Sequence, residues 1–155
     1  MAPFPIDGSW IEATGTLRVT TGDIRIYVGV DFCKYYIWLF RKASFNTIKV
    51  GSPAHDGHIT IINERLHPGI DTTPILHLHD MQVTFHYYPD GVYGGRSRGF
   101  LNFYLPVHCQ LINDIKQLVG VVEDSYQHPD YPDWDGTHIT VFNNKTFINE
   151  SNHKN

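Results

Sequence analysis

Two short segments of this chain carry the same chemistry. His58-Ile59-Thr60-Ile61 and His138-Ile139-Thr140-Val141 repeat one pattern between position 58 and position 138, a separation of 80 residues. In an extended strand alternate side chains share a face, so each histidine points the same way as the threonine two residues on, and the isoleucines point the other way. The apolar pair anchors a core and the polar pair is presented to whatever lies opposite. Two imidazoles and two hydroxyls gathered around one volume suit phosphodiester cleavage without a metal. A neutral imidazole accepts a proton from the attacking hydroxyl or water and an imidazolium gives one to the leaving oxygen, both forms being accessible near a reference pKa of about 6.5. The hydroxyls donate hydrogen bonds to the non-bridging oxygens as charge builds.

The chain has ten histidines, so the shared context of these two matters more than their type. His77-Leu78-His79-Asp80 invites a metal reading, because alternate histidines on a strand share an ion, yet Met81 and Gln82 do not supply the further Asp-His the hydrolase pattern asks for. No metal is expected there, and no cofactor anywhere. His55 and His58 form a loop spacing without partners, and His67, His86, His108, His128 and His153 receive no role. Nucleophile elbow, phosphate-cradling glycine loop and usable Cys-His pair are all missing from the sequence.

The elements that must position the motifs follow from periodicity. Residues 1–20, with Pro3, Pro5, Trp10, Ile11, Leu17 and Val19, read as an extended arm or edge hairpin. From Asp23, Ile24, Ile26, Val28 and Val30 alternate with Arg25, Tyr27 and Gly29, the period of a strand with one face on a core. Asp31 caps an expected helix over Phe32 to Ala43, with Tyr35, Leu39 and Lys42 on one side and Tyr36 and Phe40 on a neighbouring one. Asn46 to Val50 reads as a strand, Gly51 to Gly57 as a loop, and His58 to Asn63 as the first motif strand. Glu64 to Pro74 looks like a connection between halves. Met81 to Tyr88 alternates again; Pro89 to Gly99 is turn-rich and Phe100 to Leu105 is a strand. Pro106 then opens a helix through Val119 that Gly120 ends. A polar, aromatic loop from Glu123 to Gly136 delivers the strand Thr137 to Phe142, and the tail from Asn143 frays.

Both halves therefore run strand, helix, then a strand carrying His-Ile-Thr, an internal repeat of architecture. The expected fold is α/β (α+β): one domain over 1–155 made of two pseudo-symmetric lobes, about 23–66 and 75–142. Each lobe holds a small, mostly antiparallel sheet and a helix, and they meet at a central cleft where the polar pairs face each other.

With paired H-x-[ST]-x motifs in a two-lobed chain of 155 residues, the sequence resembles the 2H phosphoesterase (LigT-like) superfamily over roughly residues 23 to 142. The wording of Gly57 to Glu64 and Val83 to Asp90 is similar to small LigT-like proteins encoded by bacteriophages. The resemblance implies His58 and His138 as the acid-base pair, in either order, and Thr60 and Thr140 as phosphate-holding hydroxyls. It also implies substrates among 2',3'-cyclic phosphates, 2'-5' linkages, cyclic ADP-ribose phosphates and cyclic oligonucleotide signals, some of which viral members cleave to silence host immunity. The expected activity is thus a metal-independent phosphodiesterase acting on a cyclic or 2'-5'-linked nucleotide or oligonucleotide. The alternative is a module that sequesters a nucleotide in the same cleft.

Two loops are candidates to complete the site. Arg96 and Arg98, in Tyr93-Gly-Gly-Arg-Ser-Arg-Gly, are apt for closing on a phosphate, and Tyr126, Tyr131 and Trp134, on the loop before the second motif, for stacking on a base. Glu64 is read as a surface carboxylate or as orienting His58. A formal net charge of -4 argues against a surface that holds a long polyanion, leaving a small nucleotide or short oligonucleotide as partner. An apolar fraction of 41% says globular, and Cys33 and Cys109 read as separate buried thiols. No stretch reaches the roughly 18–20 apolar residues of a membrane span, and Met1 to Ser9 lacks the features of a signal peptide, so a cytoplasmic protein without membrane contact is expected, in host cytoplasm if viral.

Overall fold

The computed structural model describes residues 10–45, 49–51, 57–89, 93–97, 100–121 and 136–144. Among them are seven strands and two α-helices: β1 (Ile11–Thr20), β2 (Asp23–Tyr27), α1 (Val30–Ala43), β3 (His58–Ile62), β4 (Gln82–Tyr87), β5 (Tyr93–Ser97), β6 (Phe100–His108), α2 (Gln110–Leu118) and β7 (His138–Asn143), with a 3-10 helix over Thr73–Leu78. The fold is α+β, and every strand pairing is antiparallel. Strands lie in the order β4-β1-β2-β3-β7-β6-β5, and a further pairing of β4 with β6 closes six of them into a barrel.

The segment expected as an N-terminal arm or edge hairpin is instead a ten-residue strand paired on both sides, with β2 and with β4. Its alternation, Leu17 and Val19 buried against exposed Arg18 and Thr20, is genuine but starts on the small residues Ala13 and Gly15, which hide it. Gly15 is small for a reason: a Cβ there would stand 2.5 Å from Ile26 Cγ2 and 2.8 Å from the Tyr27 carbonyl oxygen. A close approach of β1 to β2 depends on it.

Helix α1 starts at Val30 on Gly29, with Asp31 in its first turn rather than as its cap. It buries Cys33, Tyr36 and Ile37 and lies along β7, the Cys33 thiol 3.9 Å from the Thr140 carbonyl oxygen and the Phe40 ring 4.8 Å from that of Phe142. The side expected from Tyr35 and Leu39 faces outward, both being exposed. The second helix begins at Gln110, not at Pro106, because β6 runs on to His108. Leu105 and Val107 are buried in the sheet and Pro106 pairs with His138, so burial on the strand period outweighs the helix-start signal of the proline. Gly120 ends α2 as expected, in the left-handed conformation at φ 75.

Part of the turn-rich stretch after Pro89 forms β5, paired with β6. Of the strand expected over Asn46 to Val50, positions 46–48 lie outside the described residues. Val50 is buried, and Gly51 makes an isolated bridge to Asn143. Asn143, expected to start the tail, is the buried last residue of β7. Both cysteines are free thiols, Cys33 buried and Cys109 half-buried. No helix among the described residues is long and apolar enough to cross a membrane.

Candidate functional site

The two motif strands are neighbours. In the β3–β7 pairing His58 is opposite Thr140 and Ile59 is opposite Ile139, and the same register carried one residue further sets Thr60 opposite His138. Directly opposed residues of an antiparallel pair share a face. The four polar side chains therefore form a square on one face, histidines on one diagonal and threonines on the other. Ile59 and Ile139, beneath its centre, are fully buried on the other face. The expectation that the polar pairs look at each other across a cleft is corrected: they stand side by side on one sheet. Strand spacing and rise put the two histidine Cα atoms about 8 Å apart along the diagonal.

Each motif strand breaks its alternation at the same place. On β3, Ile62 pairs with Ile24 and Thr60 with Arg25, which leaves Ile61 as an inserted residue; on β7, Phe142 pairs with Phe103 and Thr140 with Tyr104, which leaves Val141 as one. These are β-bulges, and the two residues at each, Ile61-Ile62 and Val141-Phe142, are all buried. The repeat seen in the sequence thus extends to backbone irregularity, one bulge directly after each His-x-Thr.

The flanking strands extend the square into two rows. One row runs Tyr27 (β2), His58, Thr140, Tyr104 (β6); the other runs Arg25, Thr60, His138, Pro106. The Tyr104 ring lies 4.9 Å from the His138 ring. Arg25, the strand partner of Thr60, has its guanidinium held by Asp23, with Nε 2.9 Å from one carboxylate oxygen and Nη2 on the other. Tyr27, Tyr104 and Arg25 were not picked out as site residues from the sequence. The alternation of Arg25 and Tyr27 with Ile24 and Ile26 held the signal for two of them, since it already put them opposite the core.

Both helices bury residues on the apolar face, and a closed ring of six strands is too narrow to hold a helix inside. The apolar face is therefore the outside of the ring and the polar square faces inward. The β4–β6 seam that closes the ring is short, opposing His86 to His108 and Tyr87 to Val107. The His138 side chain is exposed, and desolvation by the protein around it pushes its pKa below the ordinary 6.5, against the opposing pull of its hydrogen bond to Gly136.

The His138 Nδ1 lies 2.7 Å from the Gly136 carbonyl oxygen. A carbonyl only accepts, so Nδ1 carries the proton in this contact and Nε2 of the neutral ring keeps its lone pair. His58 is half-buried at the opposite corner. Gly57, just before it, packs against the start of α1, where a Cβ would stand 2.8 Å from the Gly29 carbonyl oxygen and 3.2 Å from the Cys33 Sγ.

Arg96 is in β5, and Arg98, Tyr126, Tyr131 and Trp134 lie outside the described residues. Glu64 is exposed, as read from the sequence, and a Cβ on Gly22 in the β1–β2 turn would meet its side chain at 3.5 Å. His79 accepts a hydrogen bond from the Val19 amide at 2.9 Å and Asp80 pairs with Arg18 at 2.7 Å, so both have structural partners. Among the described residues no group of three His, Cys, Asp or Glu side chains converges to hold a metal ion. No family model, curated protein or solved structure matches the chain.

Proposed function

We propose that this chain is a phosphodiesterase of the 2H type, cleaving a cyclic or 2'-5'-linked nucleotide by paired histidine acid-base catalysis where two pseudo-symmetric halves meet at the β3–β7 seam. The observation that carries this reading is the square of His58, Thr60, His138 and Thr140 on one inward face. A diagonal of about 8 Å leaves room for a phosphorus atom with its attacking and leaving oxygens in line between two imidazoles.

His138 has its pKa lowered by burial, its proton on Nδ1 and its Nε2 available, so we assign it the base, and His58, the other histidine of the square, the acid. His138 Nε2 takes a proton from the attacking water as the new P–O bond forms. His58 gives its proton to the leaving oxygen as the old P–O bond breaks, so the net change is addition of one water. Thr60 and Thr140, on the other diagonal, donate to the non-bridging oxygens.

The test is a panel of adenosine 2',3'-cyclic phosphate, 2'-5'- and 3'-5'-linked diadenylates and cyclic dinucleotides, incubated with the protein in the presence of a chelator and analysed by mass spectrometry. The expected result is cleavage of at least one, lost in both His58→Ala and His138→Ala. Turnover that persists in both variants overturns the assignment, as does recovery of every ligand unchanged from a tight complex, the outcome a sequestering module would give.

A further inference from the structure

Helix α1 carries a stripe of large side chains on the side away from the sheet. While Cys33, Tyr36 and Ile37 are buried against the strands, Asp31, Tyr35, Trp38 and Lys42 are exposed, Tyr35 at 55% and Trp38 at 56%. Steps of four, three and four residues line these up on one face, the spacing of a helix–helix seam. The members also touch along the stripe: the Tyr35 and Trp38 ring centres are 6.4 Å apart, and Lys42 Nζ stands 5.1 Å from the centre of the Trp38 ring. Trp and Tyr are the side chains that most often anchor protein interfaces, and two together in water mark a surface that binds something.

The stripe is complementary to its own reverse. Asp31 and Tyr35 precede its midpoint by the same number of residues as Lys42 and Trp38 follow it. A twofold axis through that midpoint therefore sets Tyr35 against the second copy's Trp38, and Asp31 against its Lys42 at both ends. With a rise of about 1.5 Å per residue, the charged pairs fall about 8 Å to either side of the axis, with four rings between them. We infer that this face joins two copies of the chain, α1 packing antiparallel on α1 with the rings at the centre and the Asp31–Lys42 pairs at the rim. The helix dipole by itself favours an acid in the first turn and a base in the last, but it does not align them with the rings. An anionic lipid surface also attracts aromatics and cations, yet Asp31 in the line works against it. On the flank Arg41 is turned back, its Nη2 donating to the Val50 carbonyl oxygen at 2.8 Å, which takes one cation away from the contact. Because α1 packs on the apolar face of the sheet and the polar square lies on the other, the dimer leaves the square open and is independent of the phosphodiesterase reading.

Four half-exposed rings bury roughly a few hundred Å², less than the roughly 1,200 Å² of a standard interface, so association is expected in the micromolar range. Sedimentation equilibrium of the full chain over roughly 1–500 µM tests this. The apparent mass is expected to rise from 17.8 kDa toward twice that value. Trp38→Ala, at an exposed position outside the core, is expected to weaken association by roughly 10- to 30-fold. Asp31→Lys and Lys42→Asp are each expected to weaken it by roughly 3- to 10-fold, and the double variant carrying both to restore it. Thermal unfolding of each variant checks the fold, and Trp38→Ala probes the contact without altering the helix charges. A chain that stays monomeric across the range overturns the inference, as does a dimer indifferent to Trp38→Ala. Single charge swaps without effect, or a double swap that restores nothing, overturn the antiparallel pairing. A monomer that instead sediments with phosphatidylserine vesicles overturns it in favour of an anionic bilayer.

Discussion

His58 stands directly opposite Thr140 on paired antiparallel strands, so the histidine of one motif and the threonine of the other are closer partners than either is to its own motif-mate's counterpart. Each half of the repeat thus contributes one histidine and one threonine to a group of four that neither half contains. Four substitutions read out that arrangement first.

His58→Ala and His138→Ala are each expected to lower kcat/KM by roughly 10²–10⁴-fold, the usual worth of positioned proton transfer. The loss is expected to be non-additive in the double variant, since the two groups act in one step. Steady-state kinetics with circular dichroism to confirm folding checks this; a double variant whose loss equals the product of the single losses would mean the histidines act independently.

Thr60→Val and Thr140→Val keep the strand shape and remove the hydroxyls. Each is expected to reduce kcat by roughly 10- to 10³-fold with a smaller change in KM, as for donors that strengthen in the transition state. A change confined to KM would make them ground-state binders instead.

With His138 as the proposed base, the acidic limb of the kcat/KM profile is expected to have its midpoint below pH 6.5, because burial lowers the pKa of that ring. The two limbs are properties of the coupled pair, so the midpoint is read as an apparent value. Stability carries the same sign. His138 resists protonation when folded and accepts a proton readily when unfolded, so the unfolded state binds more protons below pH 6.5 and stability falls as pH drops from there toward the folded pKa. His138→Asn should flatten that part of a denaturation series; an unchanged slope would place the titration elsewhere.

Gly57→Ala places a methyl 2.8 Å from the Gly29 carbonyl oxygen, a backbone atom that cannot swing aside. Overpacking of this kind costs roughly 1–3 kcal/mol and here pushes directly on the residue before His58, so activity is expected to fall more than stability alone explains. Activity measured well below the melting transition separates the two effects.

Ile59→Ala and Ile139→Ala each empty a fully buried site beneath the square and are expected to cost about 2–5 kcal/mol. Because the two side chains are opposed on adjacent strands, their effects should couple in a double-mutant cycle by roughly 0.5–3 kcal/mol. Urea unfolding of the four proteins gives the cycle.

The sequence made the parity of the motifs legible, since the His-Ile-Thr pattern reports its strand period within three residues. It also revealed the antiparallel, helix-containing class and the end of α2 at Gly120. It did not reveal which strands are neighbours. That β3 and β7 pair, and that β4 reaches both β1 and β6, are long-range facts with no local signal. Pro106 misled because one residue carries a helix-start preference while its place in β6 is set by what Leu105 and Val107 bury. Tyr104 could not be singled out at all, because its importance comes from the His138 ring beside it on another strand.

The pairing of β3 with β7 also sets an order of events. His58 is synthesised long before position 138 exists, and β3 has its β7 neighbour only once the chain has been made past Thr140. Contacts this far apart in sequence pay loop closure before they return any stabilisation, which slows folding. Until then β3 is left with an uncovered edge, a template for any strand that finds it. A nascent chain halted between the two motifs therefore holds one His/Thr pair and an open strand edge, and β7, once it emerges, both supplies the second pair and covers that edge.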